Sequence, residues 1–296
     1  SLVSCSILDK RGEPNKAGNG KEVNEKVNKG NNGEPVKAIQ LGSVPLTYKD
    51  KFSKLKDTLE DLEGDFGKGL DEFTIKLAKE IFDKNKKENI AFSPISLHYA
   101  FSILANGTDK NSKEQVLNLL GHNDVEKLNK NNFTLLSNSA ANNKEGIYDV
   151  NNSLWLNDDA SENIKKGFIE AAEKYYLAPV FKVDFNNPCT AETMSKWVSE
   201  MTREMIEPEF KFDTDQILTI LNTLYFDAKW NLPFDEEMTR QMEFIKADSS
   251  SLKKDFMHMT EEGSYYKGDN FTKASKTFVN GVKLSFILPD KGHDIN

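Results

Sequence analysis

The chain has 296 residues with 38% hydrophobic content, enough to bury a substantial core in one large domain or two ordinary ones. Its net charge of -8 and its lack of a basic stripe argue against nucleic acid as the main partner. No apolar run reaches the ~18 residues of a membrane-spanning helix, and two cysteines are too few for a disulfide-rich scaffold.

The first five residues, SLVSC, resemble the end of a bacterial lipoprotein signal peptide, the lipobox. In that resemblance residues 1–5 are the remnant of the signal, and Cys5 becomes the lipidated first residue of the mature protein. One acylated cysteine anchors a protein to the membrane surface without spanning it. The alternatives are an ordinary disordered N-terminus with a chance cysteine, and a disulfide between Cys5 and Cys189.

Residues 9–45 hold almost no large apolar side chains and are rich in Gly, Asn, Lys, Glu and Pro. Such a segment cannot bury enough apolar surface to offset its ordering entropy, which predicts a flexible tether over residues 6–68. Within it, residues 50–63 carry apolar residues at helical spacing, with Gly64 as a stop signal. This segment either docks on the body or stays a marginal helix, because about fourteen residues rarely form a stable helix alone.

Beyond residue 68, apolar stripes at helical spacing and capping signals predict a series of helices. Ser93 suits the N-cap and Pro94 the first turn of one helix, while Ser112 opens a capping box for the next, which Gly121 ends. The predicted helices cover residues 69–86, 94–105, 112–120, 161–177 and 190–206.

Short apolar or alternating segments predict the strands. Residues 217–226 form an apolar run that is typical of a central buried strand. Because helices come first and strands crowd the end of the chain, the predicted fold class is α+β. The predicted strands cover residues 89–92, 148–157, 217–226, 242–247, 253–259, 264–268, 273–279 and 281–288.

Several blocks of sequence between residue 89 and the end of the chain match the pattern of one protein family. Residues 89–97, NIAFSPISL, are similar to the serpin signature N-I-x-x-S-P-x-S-I. Residues 221–230, LNTLYFDAKW, are similar to the serpin block N-A-x-Y-F-K-G-x-W, and residues 152–155 and 284–289 match further blocks. These blocks follow one another in serpin order and at serpin spacing, so the resemblance runs from about residue 69 to the end.

The chain departs from the family pattern at Asp227-Ala228, where the family has Lys-Gly, and at residues 255–259, where it has V-P-M-M. The resemblance implies a serpin body over residues 69–296, with N-terminal helices packed on a large central sheet plus smaller sheets. It also implies that the family's last strands, its small-residue hinge and its reactive-centre loop lie beyond Asn296.

The resemblance implies a protease inhibitor rather than an enzyme. A serine or cysteine protease attacks an exposed loop and forms an acyl-enzyme, and the cleaved loop then inserts into the main sheet as a new strand. No cofactor or metal is implied, and the four histidines form no H-E-x-x-H motif. The alternatives are a non-inhibitory serpin-fold protein with a binding or chaperone-like role, and an unrelated envelope-binding domain whose motifs coincide by chance.

Five residues are candidates for functional roles. The resemblance places Ser93, Ser96 and Asn222 where the sheet opens, and Trp230 near the top of the sheet where insertion begins. From the residues alone, the two serines could simply cap a helix and occupy its first turn, Asn222 could be a satisfied core amide and Trp230 a core aromatic. Cys5 implies a protein outside the cell that touches the membrane only through its lipid.

Overall fold

The computed structural model describes residues 39–40, 62, 64–85, 88–213, 215–246 and 248–293. Cys5 and nearly all of the predicted tether and of the predicted 50–63 helix lie outside these ranges, so these three features stay predictions. The chain divides into two compact units. Unit 1 comprises the described residues up to Ala78 with Ala91–Ala140 and Tyr148–Tyr225, and unit 2 comprises Lys79–Ile90, Ala141–Ile147 and the described residues from Phe226 onward.

Helices dominate the first half of the described chain. They are α1 (Phe66–Lys84), α2 (Pro94–Gly107), α3 (Lys110–Leu119), α4 (Val125–Ser139), α5 (Asp158–Ser161), α6 (Lys166–Tyr176), α7 (Pro188–Met201) and a 3-10 turn at Glu236–Met238. None of the helices in the described ranges is both long and apolar enough to cross a membrane.

Strands lie mostly in the second half. They are β1 (Ile39–Gln40), β2 (Ala141–Asn143), β3 (Gly146–Asn157), β4 (Val180–Val183), β5 (Leu218–Ala228), β6 (Arg240–Ile245), β7 (Ser251–Phe256), β8 (Tyr265–Lys267), β9 (Phe271–Thr277) and β10 (Lys283–Pro289). Strand β1 lies inside the segment predicted to be a tether.

Local capping chemistry explains where several helices begin. Ser93 is the N-cap of α2 and Pro94 opens its first turn, as the sequence predicted. The capping box predicted at Ser112 is wrong, because α3 begins at Lys110 after the N-cap residue Asp109. Helix α4 was not predicted. Its N-cap is Asp124, whose carboxylate accepts hydrogen bonds from two backbone N–H groups of the first turn.

Three predicted elements differ from the structure. Residues 89–92 are irregular chain rather than a strand. The helix predicted over 161–177 begins only at Lys166, as α6, because Ser161 instead ends the short helix α5. The helix predicted to reach residue 206 ends at Met201, because Arg203 and Glu204 both have left-handed backbone angles, with φ of 54° and 64°.

The largest sheet is centred on β3. Its order is β1-β4-β3-β2, and β5 pairs with β3 as well. Strands β3 and β4 are parallel, with Leu154 opposite Val180, whereas β1 runs antiparallel to β4. Among the strands that the structure describes, the pairing of β5 is with β3.

Side chains alternate between the two faces of this sheet along the strands of unit 1, and both faces are packed against buried clusters. Leu154 and Leu156 of β3 join one buried cluster, which includes Tyr99 of α2 and Phe168 of α6. Trp155 points to the opposite face and joins a second cluster. That second cluster contains Phe181, Val183, Phe185, Met194, Trp197, Val198 and Leu221. Trp155 and Trp197 are therefore both core residues of unit 1.

Unit 2 contains the smaller sheets. Strands β6 and β7 form an antiparallel hairpin, and β10, β9 and β8 form a three-stranded antiparallel sheet. Several large apolar side chains on these strands are exposed, among them Phe244 at 49% and Leu288 at 71%. The strands β6–β10 lie where the sequence predicted strands, and their ends differ from the predicted ends by one to three residues.

Candidate functional site

Ser93 and Ser96 form a hydroxyl pair at the start of α2. The Ser93 hydroxyl accepts hydrogen bonds from the backbone N–H of Ser96 at 3.3 Å and from the Ser96 hydroxyl at 2.9 Å. Ser96 is buried, whereas Ser93 is partly exposed. The pair therefore satisfies a helix end, which is the simpler of the two roles that the sequence allowed.

Asn222 lies in the buried stretch of β5 and links that strand to β3. Its Nδ2 donates a hydrogen bond of 2.7 Å to Oδ1 of Asn152 on β3. Asn152 Nδ2 in turn donates to the backbone oxygen of Tyr176, the last residue of α6, at 3.0 Å. Two side-chain amides thus join β5, β3 and the end of a helix in unit 1.

The amide of Asn222 is only half satisfied. The sequence led us to expect partners for this group, yet its Oδ1 is buried and accepts no hydrogen bond from the residues that the structure describes. The same holds for the hydroxyl of its neighbour Thr223. Leaving a buried polar group unpaired costs about 1–3 kcal/mol. Strand β5 therefore carries unmet side-chain hydrogen-bonding capacity at these two positions.

A further polar network extends from Tyr176 into the helices. The Tyr176 hydroxyl donates to Oδ1 of Asn129 on α4 at 2.6 Å, and Asn129 Nδ2 donates to Oδ1 of Asn106 on α2 at 2.8 Å. Burial raises the pKa of the Tyr176 hydroxyl, so it remains a neutral donor. Buried amides thus continue from the sheet into the helical layer.

Sequence reasoning did not single out Asn152 or Asn129 as site residues. A signal for Asn152 was available, because it interrupts the apolar pattern of β3 as Asn222 interrupts that of β5. Across the part of the chain that the structure describes, no hydrogen bond joins either serine to Asn222. The structure therefore brings Asn222 together with Asn152, and the two serines with each other.

Trp230 lies in unit 2 and packs in an aromatic group. Its ring stacks on Phe278 with centroids 4.1 Å apart, and Phe234 meets it edge-on at 6.0 Å. Trp230 and Phe278 also form an isolated antiparallel bridge. Trp230 is half-buried, so it is a packed aromatic whose ring remains partly accessible.

The remaining cysteine and histidine side chains are candidate metal ligands by residue type. Cys189 is a buried free thiol. Residues Met257, His258 and Met259 adjoin in sequence, but no group of three or more His, Cys, Asp or Glu side chains is arranged for a metal ion among the residues described. The feature that distinguishes the candidate site is the set of hydrogen bonds between its buried polar side chains.

Comparison with known proteins gives one consistent result. A family model described as "Serpin (serine protease inhibitor)" matches residues 68–296. A serpin-like protein of Methanosarcina acetivorans is 30% identical over 64% of this chain and 48% of its own length. Human neuroserpin is 25% identical over 76% of this chain and 55% of its own length. The chain spans about half the length of the curated relatives it matches.

Solved structures agree with the sequence relatives. The thermophilic serpin tengpin in its latent state matches with a TM-score of 0.72 and 26% identity, over 80% of this chain and 64% of that one. An Arabidopsis serpin in its native stressed conformation matches with a TM-score of 0.70 and 25% identity, over 77% of this chain and 62% of that one.

Proposed function

Because the chain belongs to the serpin family, we propose that the protein inhibits serine or cysteine proteases by conformational trapping. The α+β architecture described above is the serpin fold. Serpins are typically protease inhibitors rather than enzymes, although some members do not inhibit. The finer assignment to trapping therefore depends on whether the main sheet of this chain can accept a further strand.

The observation that carries the proposal is the half-paired amide of Asn222 on β5, in a chain whose residues 68–296 match the serpin family model. Strand insertion needs a strand whose backbone N–H and C=O groups can pair with those of the incoming chain. Strand β5 spans Leu218–Ala228, and its first half is buried. A strand inserted beside β5 would pair with its backbone in a part of the sheet that is already buried.

Asn222 is suited to both the closed and the open state. Its Nδ2 holds β5 to β3 through Asn152, which favours an ordered sheet before the protease arrives. Its free Oδ1 can accept a hydrogen bond from an incoming strand without breaking that link. We assign Asn222 to sheet opening, with Ser93 and Ser96 as a separate polar pair in the same unit.

The steps of inhibition follow from this arrangement. The protease attacks a loop of the full-length protein and forms an acyl-enzyme. The cleaved loop inserts at the β5 edge and drags the acylated protease with it. Backbone pairing and relief of stored strain make the insertion favourable, so the protease is displaced before water hydrolyses the acyl bond.

Formation of a covalent complex tests this proposal. We expect the full-length protein, incubated with a panel of serine and cysteine proteases, to form an adduct that survives SDS with at least one of them. Boiling with SDS separates non-covalent complexes but leaves an acyl bond intact. Cleavage by every protease in the panel without an adduct would contradict trapping and favour the non-inhibitory alternative.

We further propose that the protein is held outside the cell by a lipid on Cys5. The lipobox resemblance and the composition of residues 9–45 support this location. Cys5→Ser should move the full-length protein from the membrane fraction to the soluble fraction, whereas Cys189→Ala should leave it with the membranes. Membrane association that survives Cys5→Ser would overturn the anchor.

A further inference from the structure

Lys276 of β9 is a charged residue inside unit 2. It is 6% exposed, and its cross-strand partner on β10 is Leu284. Lysine is almost never buried to this extent unless its ammonium has a partner. An apolar residue would suit such a position in a strand, so the contacts of the ammonium decide what Lys276 does.

The Lys276 ammonium joins two separate pieces of chain. Its Nζ lies 2.7 Å from Oε2 of Glu261 and 2.9 Å from Sδ of Met259, both in the irregular link between β7 and β8. It also lies 4.9 Å from the ring centroid of Phe234 and 5.6 Å from that of Trp230. These distances fit a cation over aromatic faces, which strengthens as water is excluded.

Trp230 is tied to the same strand by its backbone. Val279 N–H donates to the carbonyl of Lys229 at 2.8 Å, and Asn231 N–H donates to the carbonyl of Thr277 at 3.0 Å. The segment around Trp230 is thus held to the end of β9 by hydrogen bonds and by stacking on Phe278. Lys276, just before that end, adds a charged contact that reaches Glu261.

The energetics of a buried ion pair indicate why a charge stands here. Replacing such a pair with apolar side chains is often neutral or stabilising, because the pair's attraction barely offsets its desolvation. The pair instead fixes the orientation of its two side chains, because a buried ammonium loses its ion-pair partner when the carboxylate moves away. Glu261, with its side chain 33% exposed, can leave toward water, whereas Lys276 cannot.

We infer that the Lys276–Glu261 pair is a latch that positions Trp230 and the 257–262 segment. With the pair closed, the link lies against β9 and the aromatic group is held in one arrangement. With the pair broken, the link is released and the chain around Trp230 loosens. In a trapping inhibitor this sets how readily that chain moves, and this last statement rests on the proposed function.

Hydrogen–deuterium exchange of the full-length protein tests the latch. Lys276→Met removes the charge but keeps an unbranched side chain, and we expect about tenfold faster exchange in peptides spanning 228–234 and 257–262. The melting temperature should change by less than about 3 °C, because an apolar side chain suits the site. Lys273→Met, at an exposed position of the same strand, is the matched control and should change neither quantity.

Glu261→Gln supplies the second arm. It leaves a buried ammonium without its anion, so the same two peptides should exchange faster and the melting temperature should fall by several degrees. Unchanged exchange of both peptides in Lys276→Met would overturn the latch, whatever happens to the melting temperature in Glu261→Gln. That result would mean that the pair contributes only to the overall stability of the fold and does not hold these two segments in place.

The exchange results stand apart from the proposed function. If the protein forms covalent complexes, Lys276→Met should lose inhibitory activity on storage about fivefold faster than the parent, since a looser segment favours early insertion. An unchanged rate of loss would overturn the link to trapping. If no variant inhibits any protease while exchange still quickens, the proposed function fails and the latch remains.

Discussion

Both units bury polar side chains among apolar ones, but they use different chemistry. Unit 1 uses neutral amides, with Asn222 bonded to Asn152 and Asn129 bonded to Tyr176. Unit 2 uses a charge, Lys276, paired with Glu261. An amide both donates and accepts and can exchange partners cheaply, whereas an ammonium only donates and needs an anion. The amides thus suit a sheet that must re-pair, and the charge suits a contact that must hold.

The largest expected effect is a loss of stability in acid. It should fall on unit 1, because the buried amide and imidazole side chains there are uncharged. Burial, reinforced by the neighbouring His122 and opposed by Asn132, lowers the pKa of His98 on α2 to about 3. The folded state therefore resists a proton that the unfolded chain accepts below its ordinary pKa of 6.5. Stability from this histidine is complete above that pH and is lost as the pH falls toward 3.

The expected size of that loss is about 3 kcal/mol between pH 6.5 and pH 4, from about 1.4 kcal/mol per pH unit. Urea titrations of the full-length protein across this range measure it. His98→Leu should flatten the dependence, and His293→Gln, at an exposed position, should leave it unchanged. An equally steep dependence in His98→Leu would show that the acid sensitivity lies elsewhere.

Breaking the amide link in unit 1 should have the next largest effect. Asn152→Leu strands both the Asn222 Nδ2 and the Tyr176 carbonyl, which should cost about 2–4 kcal/mol of unfolding free energy. The double substitution Asn152→Leu with Asn222→Leu should recover about half of that, because matched apolar partners remove the stranded donor.

Urea unfolding of the two single variants and the double variant gives this cycle. Asn186→Leu, at an exposed position, controls for the loss of an amide as such. Strict additivity of the single variants would mean that Asn152 and Asn222 are not energetically coupled, and the account of the closed sheet would then lose its main link.

The smallest expected effect is the difference in unfolding free energy between breaking two ion pairs inside unit 2. Lys267 and Asp290 lie 2.6 Å apart with side chains 51% and 39% exposed, whereas the side chain of Lys276 is 7% exposed. Lys267→Met should cost less than about 1 kcal/mol, and Glu261→Gln about 2 kcal/mol, because it strands a buried charge. Equal costs in urea unfolding would remove the distinction between a surface pair and a latch.

Features set by neighbours in sequence were predictable. The Ser93-Pro94 start of α2 follows from local capping chemistry, and the alternation along β3 and β5 follows from burial on two faces. The resemblance of blocks such as residues 221–230 predicted the fold. Helix α4 escaped prediction because its asparagine-rich sequence weakens the apolar stripe, although Asp124 was a usable cap signal.

Features set by distant contacts were not predictable. Asn222 meets a residue 70 positions away, so only the folded sheet shows which half of its amide is satisfied. Lys276 looks like an ordinary polar residue of an alternating strand, and its burial depends on Trp230 and Glu261 closing over it. Short periodic patterns carry no information on such pairings.

Protection of β5 before and after attack by a protease tests the central claim most directly. Hydrogen–deuterium exchange of the full-length protein can follow the backbone amides of Leu218–Ala228 in the intact protein and in its SDS-stable protease adduct. A strand inserted beside β5 should slow exchange of the β5 amides that do not bond to β3, while the amides bonded to β3 stay protected throughout. Unchanged exchange along the whole strand in the adduct would show that no strand is added beside β5 and would contradict trapping by strand insertion.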